Sequence, residues 1–206
     1  MLQTQTVRPD TFSLLKELMA MESLKDFNLA GGTSLALQIG HRTSTDLDLF
    51  AKTALDFNLL KIEISTEYDY IIEHNTKNIL IGFLNGIKVD FVRYKYDLIV
   101  PPRVEEGIRL LSIEDIGCMK LAAITGRGKK RDFFDLYYIL KKIPLEKLLD
   151  LYQSKFYDSS LQLVLKSITY FEDAESDEDP NLFEELSWNE VKENIKQAFF
   201  DYYNRL

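Results

Sequence analysis

Two carboxylates one residue apart, Asp46 and Asp48, sit in the otherwise apolar run Asp46-Leu47-Asp48-Leu49-Phe50. Leu47, Leu49 and Phe50 suit a core strand, and positions two apart on a strand face the same way, so both acids project into one small space. Asp is depleted in strands, and close like charges do not both ionise cheaply unless a cation or a proton sits between them. A hard ion, Mg²⁺ or Mn²⁺, held by a few carboxylates together with substrate phosphates resolves that conflict. The plainer alternative is an alternating strand with a solvated acidic face.

Upstream, Phe27-Asn28-Leu29-Ala30 reads as a short strand. Gly31-Gly32 then makes a turn before a helix expected to start near Thr33 or Ser34 and to run over Leu35 to Ile39. Free amides and the helix dipole at such a turn favour a phosphate, with the Thr33 and Ser34 hydroxyls either capping the helix or joining the contact. A phosphate-holding turn followed by a strand with paired acids points to nucleotidyl transfer, with an NTP as substrate.

The string Leu29-Ala30-Gly31-Gly32-Thr33-Ser34-Leu35-Ala36-Leu37, continued by His41-Arg42-Thr43-Ser44-Thr45-Asp46-Leu47-Asp48-Leu49-Phe50, resembles the AbiEii/AbiGii toxin branch of the DNA polymerase β type nucleotidyltransferase superfamily. The resemblance runs to about Leu140. Enzymes of that type need a third carboxylate, because two metals clamp the attacking and leaving oxygens. Asp90 is the candidate, on the polar face of the strand Gly86-Ile87-Lys88-Val89-Asp90-Phe91-Val92, whose other face holds Ile87, Val89 and Phe91. A polar face on an edge strand is the competing reading.

Ser112-Ile113-Glu114-Asp115 looks like a capped helix start, followed by the apolar stretch Ile116 to Ile124 in which Lys120 is the one charge. Lys120 lies within about 20° of Ile113 on a helical wheel, on the apolar side, so its ammonium either snorkels to solvent or meets phosphate or a carboxylate. Gly126-Arg127-Gly128-Lys129-Lys130-Arg131-Asp132-Phe133-Phe134-Asp135-Leu136 is a basic, glycine-flexed turn leading into another helix, where Asp132 and Asp135 share a face. Taken locally, Asp132 complements the helix start and Asp135 pairs with Arg131. The resemblance instead implies that Lys120 and one of these acids, Asp135 before Asp132, belong to the active site. It adds Arg42, Ser44, Arg127 and Arg131 to Gly31, Gly32, Thr33 and Ser34 as nucleotide-binding candidates.

The resulting expectation is a Mg-dependent transferase that moves NMP from an NTP to an acceptor. The resemblance implies the toxin of a type IV toxin-antitoxin or phage-abortive system, an RNA such as a tRNA end as acceptor, and a cognate antitoxin as partner. Two other readings keep the fold: a catalytically silent nucleotide- or partner-binding module, and a small-molecule, antibiotic-modifying nucleotidyltransferase.

A chain of 206 residues, 46% hydrophobic and 12% aromatic, buries a core of one domain or two small lobes. It has neither a membrane-length apolar run nor a signal-peptide pattern, and its single cysteine, Cys118, excludes an internal disulfide and suits the cytoplasm. The net charge of −8 argues against broad adhesion to nucleic acid but leaves room for a local basic groove, with Arg127 to Arg131, Arg42, Arg93, Lys95 and Arg103 as its candidates.

The expected class is α+β (α/β mixed): residues 1–100 form a small mixed sheet flanked by helices, and residues 101–206 form a helical lobe that completes the cleft. Pro101-Pro102 marks the boundary. Helices are expected over Thr11 to Leu24, Asp56 to Ile62, Leu145 to Tyr152, Ser160 to Tyr170 and Trp188 to Tyr203. Strands are expected over Ile71 to His74, Asn78 to Leu84 and Gly86 to Tyr94, with Asn85-Gly86 as a hairpin turn. Phe171 to Pro180 reads as a solvated acidic loop.

Overall fold

The computed structural model describes residues 1–53 and 55–205. The order of elements is α1 (Pro9–Ala20), β1 (Asn28–Leu29), α2 (Gly31–Ile39), β2 (Leu47–Ala51), α3 (Phe57–Glu67), β3 (Tyr70–Asn75), β4 (Ile79–Leu84), β5 (Ile87–Arg93), β6 (Arg103–Glu105) and β7 (Ile108–Leu110). The helices α4 (Ile113–Arg127), α5 (Lys130–Leu140), α6 (Leu145–Lys155), α7 (Leu161–Ile168) and α8 (Trp188–Tyr203) complete the chain. Two compact units result. The first holds residues 1–97 and 101–111, and the second holds 98–100 and 112–206.

The first unit is built on a seven-stranded mixed sheet in the order β3-β4-β5-β2-β1-β7-β6. β2 pairs in parallel with β5, and β1 with β7, while the other neighbours are antiparallel. Alternation decides which face each residue serves. In β2, Leu47, Leu49 and Ala51 are buried, and in β5 Val89 and Phe91 are buried, in one core that also holds Leu14, Leu15 and Leu18 of α1 and Phe57, Leu60 and Ile64 of α3. Burying such side chains removes roughly 1.5–3 kcal/mol of apolar exposure apiece, which holds the register and leaves Asp48 and Asp90 on the opposite face.

Most strands and helices of the sequence reading appear, and their ends differ for identifiable reasons. Asn85 and Gly86 both take positive φ (50° and 80°), the pairing that a two-residue hairpin turn requires. Helix α1 stops at Ala20, short of Leu24. The Arg109 guanidinium, on β7, donates to the carbonyls of Met19 (3.0 Å), Leu24 (2.9 Å) and Phe27 (2.7 Å), supplying the partners that a continued helix would have provided. Helix α3 runs on to Glu67, capped by Asp56 accepting from the Asn58 amide. The β6–β7 hairpin is absent from the sequence reading. Its turn, Glu106-Gly107, also has two positive φ angles, and by its pairing it carries the sheet past Pro101-Pro102.

In the second unit, Ser112 caps α4 as expected by accepting from the Asp115 amide. The Asp115 carboxylate does more than suit the dipole. Fully buried, it accepts from Lys155 Nζ (2.7 Å), the amides of Ile99 and Val100 (3.0 and 3.2 Å) and the Ser112 hydroxyl (2.8 Å). Cys118 is buried, and desolvation, reinforced by Asp115, pushes its thiol up to about 12, so it behaves as an inert core group.

Candidate functional site

The Gly-Gly turn sits directly over the acid-bearing strand. Helix α2 begins at Gly31 itself, two residues earlier than expected, with Gly31 in the left-handed region (φ 65°). A Cβ at Gly31 would collide with the Asp48 carboxylate, and one at Gly32 would collide with the Arg42 guanidinium. Only glycine lets both charged groups approach this backbone so closely. Neither Thr33 nor Ser34 caps the helix, which starts without a side-chain cap. Both are buried: Thr33 Oγ1 donates to Ser44 Oγ (2.8 Å) and lies against the Asp46 carbonyl, and Ser34 Oγ accepts from Gln38 (3.2 Å). Their hydroxyls therefore brace the turn. The amides of the first helical turn, which no helix satisfies internally, are the groups positioned to meet an anion.

Arg42 is buried at the same place, its Nη1 donating to the Thr43 carbonyl (2.8 Å) while its other amino group lies over Gly32. Gly31, Gly32, Thr33, Arg42, Ser44 and Asp48 are thus gathered in one small neighbourhood.

Asp90 stands opposite Asp48 in the parallel β2–β5 ladder, on a strand flanked on both sides and not at an edge. Neighbouring strands lie about 4.8 Å apart, so the two carboxylates begin from adjacent backbone positions. Asp46 immediately precedes β2 on the same face. Asp90 Oδ1 is buried without a hydrogen-bond partner among the described residues. Burial pushes its carboxyl above the usual range. Lys88 opposes that shift, while Asp46 and Glu73 add to it.

Among the described residues, no three His, Cys, Asp or Glu side chains are gathered closely enough to hold a cation by themselves. An all-oxygen set, crowded on one face and including a buried orphan oxygen, nevertheless fits a Mg²⁺ ion that takes one or two carboxylates and completes its shell with phosphate and water.

A second cluster lies wholly within the second unit. Lys120, 5% exposed, reaches Asp132 Oδ1 (2.8 Å) and Asp135 Oδ2 (2.5 Å), both of them fully buried. Arg127 adds two bonds to Asp132, from Nε (2.9 Å) and Nη2 (3.1 Å). Burial works against a charge on Asp132, yet Lys120 and Arg127 outweigh it and hold its carboxyl below the usual range. Of the alternatives left by the sequence, the ammonium meets carboxylates, and both acids engage it. Asp132 does more than complement a helix start.

Within the first unit, the sheet separates two of the groove candidates. Arg103 lies on edge strand β6, four strands and about 19 Å from Arg93 on β5, and it pairs with Glu105. Lys129 and Lys130 are bound by the acidic loop and do not leave it to solvent: Lys129 pairs with Asp177 (3.0 Å) and Lys130 with Asp179 (3.1 Å). Arg131 is exposed. Neither Asp177 nor the Asp115–Lys155 pair carried a local signal, because each joins residues at least forty positions apart.

A family model for the nucleotidyl transferase AbiEii toxin of type IV toxin-antitoxin systems matches residues 13–98 and 81–204, nearly the whole chain. The chain belongs to this AbiEii family. An uncharacterized protein of Aquifex aeolicus (strain VF5) is 34% identical over 198 residues, covering 91% of this chain and 93% of its own. Among solved structures, a candidate nucleotidyltransferase of H. pylori matches with a TM-score of 0.57 at 21% identity, covering 97% of each chain. The nucleotidyltransferase toxin MenT4 of Mycobacterium tuberculosis H37Rv matches with a TM-score of 0.55 at 15% identity, over 93% of this chain and 84% of its own. At those identities the two structures establish the fold, and the AbiEii family membership establishes the class: this chain is a nucleotidyltransferase. No helix of the described residues is long and apolar enough to cross a membrane.

Proposed function

We propose that this AbiEii-family chain transfers NMP from an NTP to the end of an RNA, a tRNA end being the leading acceptor, with Mg²⁺ or Mn²⁺ at Asp46, Asp48 and Asp90. The observation that carries the reading is the meeting of Asp48 with Gly31 on one side and Asp90 on the other. A phosphate seated on the first-turn amides of α2 would lie beside the carboxylates that hold the ion. Bound there, the metal would neutralise the triphosphate and the charge that develops on the leaving pyrophosphate.

The chain's own residues have separable roles in this proposal. Gly31 and Gly32 admit the phosphate to the backbone, and Arg42 and Ser44 shape the same turn. Asp90, with a buried oxygen that no described residue satisfies, is an acid that gains from a cation. The cluster in which Asp132 and Asp135 hold Lys120, joined by Arg127, serves the same reaction by fixing that lysine. Arg131, which is exposed, is a candidate contact for nucleic acid. As a family of type IV toxins implies, a cognate antitoxin is the expected protein partner, and the cytoplasm the expected compartment.

Incubation with Mg²⁺, each labelled NTP in turn and total RNA, beside Asp48→Ala, tests the proposal. Label should pass to RNA from one or a few NTPs with the wild-type chain only. Equal labelling by both proteins would count against it. Label on a small-molecule acceptor and not on RNA would move the acceptor to another class.

A further inference from the structure

Helix α5 carries Asp132 and Asp135, yet its own sequence does not cap it. Lys129 occupies the N-cap position and has no side-chain acceptor for the first-turn amides. The residue three positions on, where a capping box places an acid that returns to the helix start, is Asp132. That carboxylate is already committed to Lys120 and Arg127. Local capping and the grip on Lys120 compete for one side chain, and Lys120 has it.

The missing cap arrives from far along the chain. Asp177, in the acidic loop 171–180, accepts from the Lys130 backbone amide (3.0 Å) through Oδ2 and from Lys129 Nζ (3.0 Å) through Oδ1. The loop around it is anchored in turn. Glu175 pairs with Lys192 (2.7 Å) and accepts from Trp188 Nε1 (3.1 Å), and Lys130 Nζ, nearly buried, meets Asp179 (3.1 Å) and the Glu175 carbonyl (3.4 Å). The Phe133, Phe171 and Trp188 rings pack beneath, with centroids 5.1–5.7 Å apart.

We propose that Asp177 is a positioning residue for nucleotidyl transfer: it caps α5 from a distance, so that Asp132 and Asp135 stay fixed on Lys120. The proposal rests on the reading that these three residues serve the reaction. Asp132 lies in the first turn of α5, the part of a helix that frays when its cap is lost, so a loosened start moves Asp132 before anything else.

The test compares Asp177→Ala with Asp177→Asn in the full chain, because Asn keeps the acceptor for the Lys130 amide, caps as well as Asp and drops only the charge. Lys192→Met, which releases Glu175 without touching α5, controls for general loosening of the loop. Two readouts are taken: hydrogen exchange of the amides at Arg131 to Phe134, and kcat and KM for labelled NMP transfer.

Asp177→Ala should speed that exchange at least tenfold and lower kcat at least fivefold, with KM for NTP little changed. Asp177→Asn should restore both to within about twofold of wild type, and Lys192→Met should alter neither. Unchanged exchange in Asp177→Ala would overturn the cap. Faster exchange with unchanged kcat, while Asp48→Ala is inactive, would overturn the positioning role and leave the transfer reading intact. Absence of transfer by the wild-type chain from every NTP would overturn that reading and the proposal resting on it.

Discussion

The chain builds two carboxylate clusters by opposite electrostatic rules. In the first unit, Asp46, Asp48 and Asp90 crowd one sheet face, and Asp90 keeps a buried oxygen without a partner. In the second, Asp132 and Asp135 are more deeply buried, but Lys120 and Arg127 neutralise them at 2.5–3.1 Å. The first site keeps a buried oxygen that no described residue satisfies, whereas in the second each acid is held by a cation. An unsatisfied carboxylate oxygen is what a cation would complete, whereas a neutralised cluster holds a lysine in place. The difference separates Asp90, whose burial costs the fold stability, from acids that add to it.

The largest expected effect tests the first half of this contrast. Asp48→Ala should lower NMP transfer by about a thousandfold or more, since a metal-clamping carboxylate supplies several kcal/mol at the transition state. Its loss of stability, measured by calorimetry without metal, should be smaller than that of Asp132→Ala. A large loss of stability would show that Asp48 is a structural group and would break the comparison.

Asp132→Ala should behave in the opposite way. Removing one acid from this buried cluster leaves Lys120 with Asp135 alone of its two carboxylates and takes Asp132 from Arg127, at a cost of about 3–5 kcal/mol, visible as a lower denaturant midpoint. Asp132, with its lowered carboxyl, contributes stability that is full above the ordinary carboxylate range and is lost as pH falls through its lower folded value.

Gly31→Ala is predicted to be intermediate. A methyl group in the left-handed region costs about 1 kcal/mol or more in stability, and it must also displace the Asp48 carboxylate. Activity should therefore fall further than stability, in kinetic assays run beside a melt.

The smallest change in stability is the most diagnostic. Asp90→Asn should abolish transfer yet raise the melting temperature of the metal-free protein slightly, because the fold disfavours the charged form. The pH dependence follows the same sign. With its pKa raised, Asp90 favours folding while protonated, and that contribution is lost as pH climbs from the ordinary Asp range through its higher folded value. Metal binding, which needs the ionised form, should strengthen over the same interval when followed by Mn²⁺ titration. Melting that rises through this interval in the metal-free protein would contradict the assignment.

The sequence alone carried the local half of this chemistry. Period-two alternation placed Leu47 and Leu49 on one face of a strand and Asp48 on the other, and did the same for Val89, Phe91 and Asp90, because strand geometry repeats every two residues whatever lies nearby. Asn85-Gly86 announced its turn and Ser112 its cap, and the lone charge of Lys120 on an apolar face left open whether it meets solvent, phosphate or a carboxylate. Tertiary structure decided everything that joins distant residues. It chose the register that sets Asp48 beside Asp90, assigned both Asp132 and Asp135 to Lys120, ended α1 with the guanidinium of Arg109, and brought Asp177 to a helix start that no nearby residue caps. Such pairings depend on which elements pack together, and one side chain's pattern of neighbours in sequence holds no record of that.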